Sequence, residues 1–360
     1  MICIPFTKCV PTTVRQLFHV YRINYGSIQQ RIRYILFHSN TLKYFTSPPI
    51  PTHNLKKPSM SQAVLRLDGE RISVRNLKAF QRPIQELSKH EVLIRVHSVS
   101  LNFRNIAVAT SQYSFPVTDR VIRCSDAAGL DKHPSCLGSQ GAQGLAPELL
   151  GVIDPGLHGG DGMECAIWQC ASPAGPDCFV PGTEGVPITG VILAKAAGAT
   201  TINTSSSDEK LEMVKSKFGA DYVFNYKKYP EWSQEVLRLT NGKGVDYVLE
   251  NGGSGTITKS LNSVKMDGNV SVIGFLSQAK QSEMPDVASL ALAKGAVVHG
   301  ITVGLTQLLE EVARFVAKKG LPLPVELEFQ FTQEEVVGTY EYMASGSHIG
   351  KVCIKLVDKA

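Results

Sequence analysis

The chain has 360 residues, 43% of them hydrophobic and 19% charged, enough apolar side chains for two buried cores. No eighteen-residue apolar run occurs, which argues against a membrane-crossing helix. The net charge of +5 belongs to residues 1–59, which hold eight Lys or Arg and no acid; the rest has 29 basic and 32 acidic residues, so neither nucleic acid nor a membrane is expected as a partner.

An acid-free start with Arg, Ser and Thr fits a mitochondrial transit peptide. The favoured reading is an extension with no folded role, the working chain then starting at "MSQAVLRLDGERISV" from Met60. Prolines 48, 49 and 51 interrupt any long amphipathic helix there. The expected location is cytoplasmic, or mitochondrial on the transit-peptide reading. The eight cysteines are irregularly spaced, the pattern of free thiols in a reducing compartment.

From Met60 to Gly129 the pattern is β-rich. "AVLRLDGERISVRNL" alternates around an Asp-Gly turn, and "HEVLIRVHSVSLN" reads as a strand, predicting a small, largely antiparallel unit over 60–129. Leu130–Pro181 then holds nine Gly, six Pro, four Cys and a single basic residue in 52 positions, with no helix or strand period. Residues 130–177 are therefore an irregular segment.

Regularity returns at 178 as alternating strands and helices. Helix "VPITGVILAKAAG" leads to strand "TTINT", helix "SDEKLEMVKSKFG" to strand "ADYVFNY", helix "PEWSQEVLRLTNG" to strand "VDYVLEN", and helix "SGTITKSLNSV" to strands "GNVSVIGF" and "GAVVHGIT". Ser207 is an N-cap, and Gly219, Gly242 and Gly268 mark helix stops or strand starts. Such alternation predicts an α/β fold, a parallel sheet covered on both faces over 178–320. Helix "GLTQLLEEVARFVAKKG", strand "VELEFQF", helix "TQEEVVGTYEYMASG" with a Thr332/Glu335 capping box, and strand "GKVCIKLV" follow, and residues 321–360 are expected to return to the β-rich unit.

The stretch "CFVPGTEGVPITG" joins a short strand, Cys178–Val180, to a helix through a glycine turn. Against the dinucleotide fingerprint G-x-G-x-x-G, Gly182 matches, Glu184 replaces the second glycine and Pro187 the third, while Gly185 still permits close backbone approach. Glu184 would repel a pyrophosphate that it faced. Twenty residues on, "TTINT" ends in Ser205, Ser206 and Ser207 with Lys210 one turn later. Hydroxyls and a lysine, in place of the acid that binds a ribose 2′-hydroxyl, favour NADP over NAD; the serines also serve to cap the helix from Asp208.

The motifs "VSLNFRNIAVATSQY", "CSDAAG", "GTEGVPITGVILAKAAGA", "FGADYVFNY", "GKGVDYVLENGG", "GNVSVIGF" and "SGSHIGKVCI" together resemble the medium-chain dehydrogenase/reductase superfamily, in its zinc-independent, quinone-oxidoreductase-like branch of fungal type. The resemblance implies a GroES-like catalytic β-domain, incomplete here, an inserted Rossmann domain, and hydride transfer between NADPH and a quinone, enone or carbonyl in the cleft between them. It implies that Gly182, Thr183, Gly185 and Val186 line the phosphates, Ser205, Ser206 and Lys210 meet the 2′-phosphate, and Tyr226 flanks the adenosine. Asn251, Gly274 and Phe275 approach the ribose and nicotinamide. Phe103 faces the substrate with Asn102 and Arg104, the candidate catalytic pair. The family's tyrosine is Phe103 here and its aspartate Asn105. Residues 130–181 depart most from the family pattern; an altered reading frame or a mis-spliced gene accounts for this, the alternative being a lineage-specific replacement.

Zinc-dependent relatives place a Cys in the segment matching "LNFRN" and Gly-His-Glu where this chain has Cys124-Ser125-Asp126. Cys136, Cys165, Cys170 and Cys178, with His158 nearby, are too irregular for a structural zinc lobe, so no metal is expected. The expected activity is a zinc-independent NADPH-dependent reductase of a small molecule, homodimeric through the strand "AVVHGIT". The rival is a cofactor-impaired pseudoenzyme or binding protein of the same fold.

Overall fold

A computed structural model describes residues 61–84, 94–113, 116–117, 126–131, 152–153, 175–301 and 306–356. The expectations for 1–59 and for most of 130–177, including Cys136, Cys165, Cys170 and His158, lie outside these residues, as do those for Cys124 and Ser125.

Strand β1 (Ser61–Leu67) pairs antiparallel with β2 (Leu77–Pro83). The connection is longer than the Asp-Gly turn predicts: Val74–Asn76 forms a short 3-10 turn capped by the Ser73 hydroxyl, so "ERISVRN" is linker and "LKAFQRP" is the partner strand. The hydroxyl cap gives this segment a local alternative to the ladder. Next come β3 (Ile94–Ser100), helix α1 (Phe103–Ala109), β4 (Asp126–Asp131) and β5 (Val152–Ile153). Helix α1 was not expected; "FRNIAVA" is a bare two turns, too short for apolar periodicity to show.

The α/β part follows in chain order: β6 (Asp177–Pro181), α2 (Gly185–Ala196), β7 (Thr200–Ser205), α3 (Asp208–Phe218), β8 (Tyr222–Asn225), α4 (Trp232–Leu239), β9 (Val245–Glu250), α5 (Ile257–Ser263), β10 (Val264–Val272), α6 (Val287–Lys294) and β11 (Val297–Gly300). These six strands form one parallel sheet in the order β8-β7-β6-β9-β10-β11. This is the doubly wound Rossmann order, in which the chain reverses direction across the sheet between β6 and β9 and leaves a crevice at their carboxyl ends. Ser207 caps α3 by accepting the Lys210 N–H, and Gly219 ends that helix in the left-handed region at φ +76°. Gly268 does not start a strand: β10 begins four residues earlier and carries a register shift between Val264 and Asn269. Helix α6 was also missed. Its apolar residues follow no face, and Leu292 is 84% exposed, yet Asp286 caps it and Gly295 closes it at φ +58°.

Helix α7 (Thr306–Lys319), β12 (Val325–Gln330), α8 (Gln333–Ala344) and β13 (Lys351–Lys355) complete the described chain. The second sheet runs β12-β13-β3-β4-β5, with β13 antiparallel to β3. Leu77, Leu101, Tyr340 and Ile354 are fully buried in one core, so α8 and β13 pack with the elements of the chain's first half. Burying each such side chain stabilises the fold by roughly 1.5–3 kcal/mol. Thr332 caps α8 by accepting the Glu335 N–H, but the Glu335 carboxylate accepts from Gln330 N at 2.6 Å; only half of the expected capping box forms. Among the described residues no helix is long and apolar enough to cross a membrane.

Candidate active site

The turn after β6 lies at the crevice. Gly182 has φ +104°, its N–H donates to the Thr204 carbonyl at 2.9 Å, and a Cβ there would stand 2.7 Å from the Glu184 carboxylate. Only glycine meets both demands. The Asn203 amide donates to the carbonyls of Val180 (2.6 Å) and Gly182 (2.7 Å), fixing the turn to β7. Helix α2 starts with no side-chain cap, and its first residues, Gly185, Val186 and Pro187, border a cavity of about 590 Å³. Pro187 removes an N–H that has no partner within the helix in any case. A helix start of this kind favours an anion.

Glu184, the N-cap residue, turns its carboxylate back along the chain to accept the Thr183 N–H at 3.1 Å. It therefore satisfies one donor of the phosphate turn with the protein's own anion, while still bordering the cavity. The close approach that Gly185 allows is used by a side chain: a Cβ there would lie 2.5 Å from Cδ and 2.6 Å from Cε of Lys351.

Across the cavity, the ends of β9 and β10 bring Asn251, Gly274 and Phe275 together. Asn251 donates from its amide to the Pro181 carbonyl at 3.0 Å, tying β9 to β6 across the switch point. Gly274 is packed so tightly on the Asn251 backbone that no side chain fits. The Phe275 ring meets Phe103 edge-on at 6.1 Å and Tyr113 at 6.2 Å, an aromatic wall built from both sheets.

The second unit contributes the polar floor. Asn102 precedes α1, and its backbone N–H donates to Asn105 Oδ1 at 2.6 Å; buried Asn105 is thus a structural amide. The Asn102 side chain donates to Asp126 at 2.7 Å and accepts from Lys351 Nζ at 2.5 Å. Lys351 and Asp126 are 3.7 Å apart, with side chains 15% and 20% exposed. Arg104, the expected partner of Asn102, borders the cavity but lies with its guanidinium carbon 5.2 Å over the Tyr113 ring.

Of the sequence-derived residues, Asn102, Phe103, Arg104, Gly185, Val186, Asn251, Gly274 and Phe275 share the cavity; Gly182 and Thr183 stand behind its rim. Ser205, Ser206 and Tyr226 sit beyond it at the ends of β7 and β8. Lys210 donates to the carbonyls of two residues that border the cavity, Gly346 (2.5 Å) and His348 (2.8 Å). Sequence reasoning missed Lys351, which belongs to the quoted "HIGKVCI" motif, as well as His348 and Glu250.

His348 borders the cavity, is 5% exposed, and its Nδ1 has no hydrogen-bond partner. Burial holds its pKa below the ordinary value of 6.5; Glu184 pulls it up, while Lys210 and Lys351 push it further down. Below the unfolded-state value the unfolded chain binds the proton more readily, so stability falls as pH drops from there through the folded value. Thermal unfolding midpoints between pH 7.5 and 5 should fall more steeply in the wild type than in His348→Asn; equal slopes would show that His348 carries no linkage.

The uncapped start of α2 and the Gly274 cleft fit a dinucleotide. An amide, one carboxylate and an ammonium at Asn102, Asp126 and Lys351 are not a zinc donor set. No group of three or more His, Cys, Asp or Glu gathers among the described residues.

Known proteins are similar to this chain over most of its length. A family model described as zinc-binding dehydrogenase matches residues 185–318. A zinc-type alcohol dehydrogenase-like protein of Schizosaccharomyces pombe is 30% identical over 325 residues, 76% of this chain and 92% of the relative. Of the solved structures, the quinone oxidoreductase from Coxiella burnetii aligns with a TM-score of 0.60 at 20% identity, covering 82% of this chain and 99% of that one. A mycobacterial protein complexed with NADPH aligns at 0.61 and 17% identity, covering 81% and 99%. At these identities the structural likenesses speak for the fold.

Proposed function

Because this chain belongs to the medium-chain dehydrogenase/reductase superfamily and is an oxidoreductase of that family, we propose that it reduces a quinone, enone or carbonyl compound with NADPH and without zinc. The observation that carries the reading is the cavity itself, where an uncapped helix start, the Asn251–Phe275 rim and the Asn102 floor meet at the switch point of the sheet.

In this reading Gly185 and Val186 hold the pyrophosphate, and Asn251, Gly274 and Phe275 place the nicotinamide, which supplies the hydride. Phe103 and Phe275 exclude water from the reacting face. No acid stands at the end of β7, and the first one after it, Asp208, accepts from Asn225 (3.0 Å) and Lys228 (2.7 Å), so a 2′-phosphate meets the hydroxyls of Ser205 and Ser206, while Lys210 keeps one of three N–H donors beyond its two carbonyl partners. Zinc independence is supported by charge: an ammonium already rests on Asn102, and a divalent cation beside it would be repelled. The exposed edge of β11, with Val297 55% exposed, is the surface proposed for homodimer pairing.

Titration of the protein with each nucleotide, followed by nucleotide fluorescence, tests this directly. NADPH should bind about tenfold tighter than NADH, a difference of roughly 1.4 kcal/mol. Tighter NADH binding would remove the 2′-phosphate assignment, and binding of neither would favour the pseudoenzyme reading.

A further inference from the structure

We propose that Lys351 is the hydrogen-bond and proton donor to the oxygen of an apolar carbonyl or enone bound in the cavity, with Asn102 and Asp126 as its positioning residues. This inference rests on the hydride-transfer reading above.

The geometry is directional. Lys351 Nζ donates to Asn102 Oδ1 and the amide nitrogen of Asn102 donates onward to Asp126, so both neighbours hold the amide in one orientation. The lysine stem lies over Gly185, where any side chain would displace it. What remains exposed of Lys351 borders the cavity. Around it Ile106, Phe103, Phe275, Leu276 and Met343 offer only hydrocarbon and ring edges, which suits a substrate with an apolar skeleton and one oxygen to be recognised. Arg104 is the other cation there, but it lies over Tyr113, and a guanidinium does not release its proton at neutral pH.

A reduced nicotinamide held beside Asn251, Gly274 and Phe275 would supply the hydride that the electrophilic carbon accepts. The π pair moves to oxygen, directly in a carbonyl or through the conjugated system in an enone. An N–H bond of Lys351 breaks, its proton joins the oxygen, and its electron pair stays on nitrogen as a neutral amine, which regains a proton from solvent. The charged or titratable groups around Lys351 are Asp126 of β4 at 3.7 Å, Glu184 of the phosphate turn and Arg104 of α1 on the same cavity, and His348 and Cys353 on its own segment. Burial pushes the Cys353 thiol up to about 11, so it stays neutral through the working range.

Lys351→Met and Lys351→Arg, with folding checked by thermal unfolding, separate the alternatives. With 2-cyclohexenone as substrate, Lys351→Met should lower kcat by about 10²–10³ while the NADPH Kd stays within about twofold. Lys351→Arg should keep part of the activity and lose the alkaline fall in the pH profile, and Asp126→Asn should move that fall to lower pH. Benzoate, a carbonyl-oxygen probe titrated without nucleotide, should bind Lys351→Met about tenfold more weakly than wild type. The inference is overturned if Lys351→Met instead weakens NADPH binding tenfold with kcat intact, which would make the lysine a cofactor ligand, or if kcat and benzoate binding are both unchanged. A wild type that binds no nicotinamide nucleotide would overturn the hydride-transfer reading and this inference with it; normal wild-type turnover beside an unaffected variant overturns the inference alone.

Discussion

Glu250→Ala should lower the unfolding free energy by about 3–5 kcal/mol and abolish nucleotide binding. Glu250 ends β9 and is 1% exposed. Its carboxylate accepts the N–H groups of Gly252 (2.6 Å) and Gly253 (2.8 Å), the Thr256 hydroxyl (2.6 Å) and the Ser260 hydroxyl. Truncation leaves four donors facing a void, each unmet donor costing roughly 1–3 kcal/mol before water enters. The turn they hold follows Asn251 directly, so the rim of the cavity loosens with them. Glu250→Gln keeps one acceptor oxygen and should lose about 1–2 kcal/mol. Urea unfolding of the three proteins gives the order; an alanine variant within 1 kcal/mol of wild type would mean that the turn holds itself.

Glu184→Gln should tighten NADPH binding by about tenfold at low ionic strength, with the gain shrinking as salt rises. The amide oxygen can still accept the Thr183 N–H, so the turn survives while the charge goes. Two unit charges about 5 Å apart at an effective dielectric constant near 20 interact by roughly 3 kcal/mol, and partial exposure reduces that to about 1–2 kcal/mol, consistent with tenfold. Fluorescence titrations at 20 and 300 mM salt provide the check. Unchanged affinity at both would mean that the carboxylate is clear of the pyrophosphate, and weaker binding would mean that it serves the cofactor.

The parallel sheet was legible because each strand and helix of 178–320 carries its own signals, such as Ser207 and Gly219 around α3. Helix α6 has the same signals, Asp286 and Gly295, but no buried face to draw attention to them. The glycine turn was legible as chemistry, yet a sequence shows the charge of Glu184 and not its direction. Lys351 was hidden by distance, 249 residues from the Asn102 side chain that receives it. Glu250 was hidden by kind, since an acid at a strand end reads as surface until its four donors are seen. Lys210 was placed by local spacing one turn after the serines, and that its long side chain also donates to two carbonyls in the last part of the chain shows only in the structure.

Those carbonyls fasten the segment 346–351 to α3, and the Gly350 N–H that donates to Thr183 at 2.8 Å fastens it to the phosphate turn. The same few residues lead into β13, which completes the second sheet. During synthesis, then, the Rossmann strands can pair before the pocket exists: Lys351 and the segment before it are made after β11, and a chain interrupted between the two would hold the nucleotide turn but have nothing to close it.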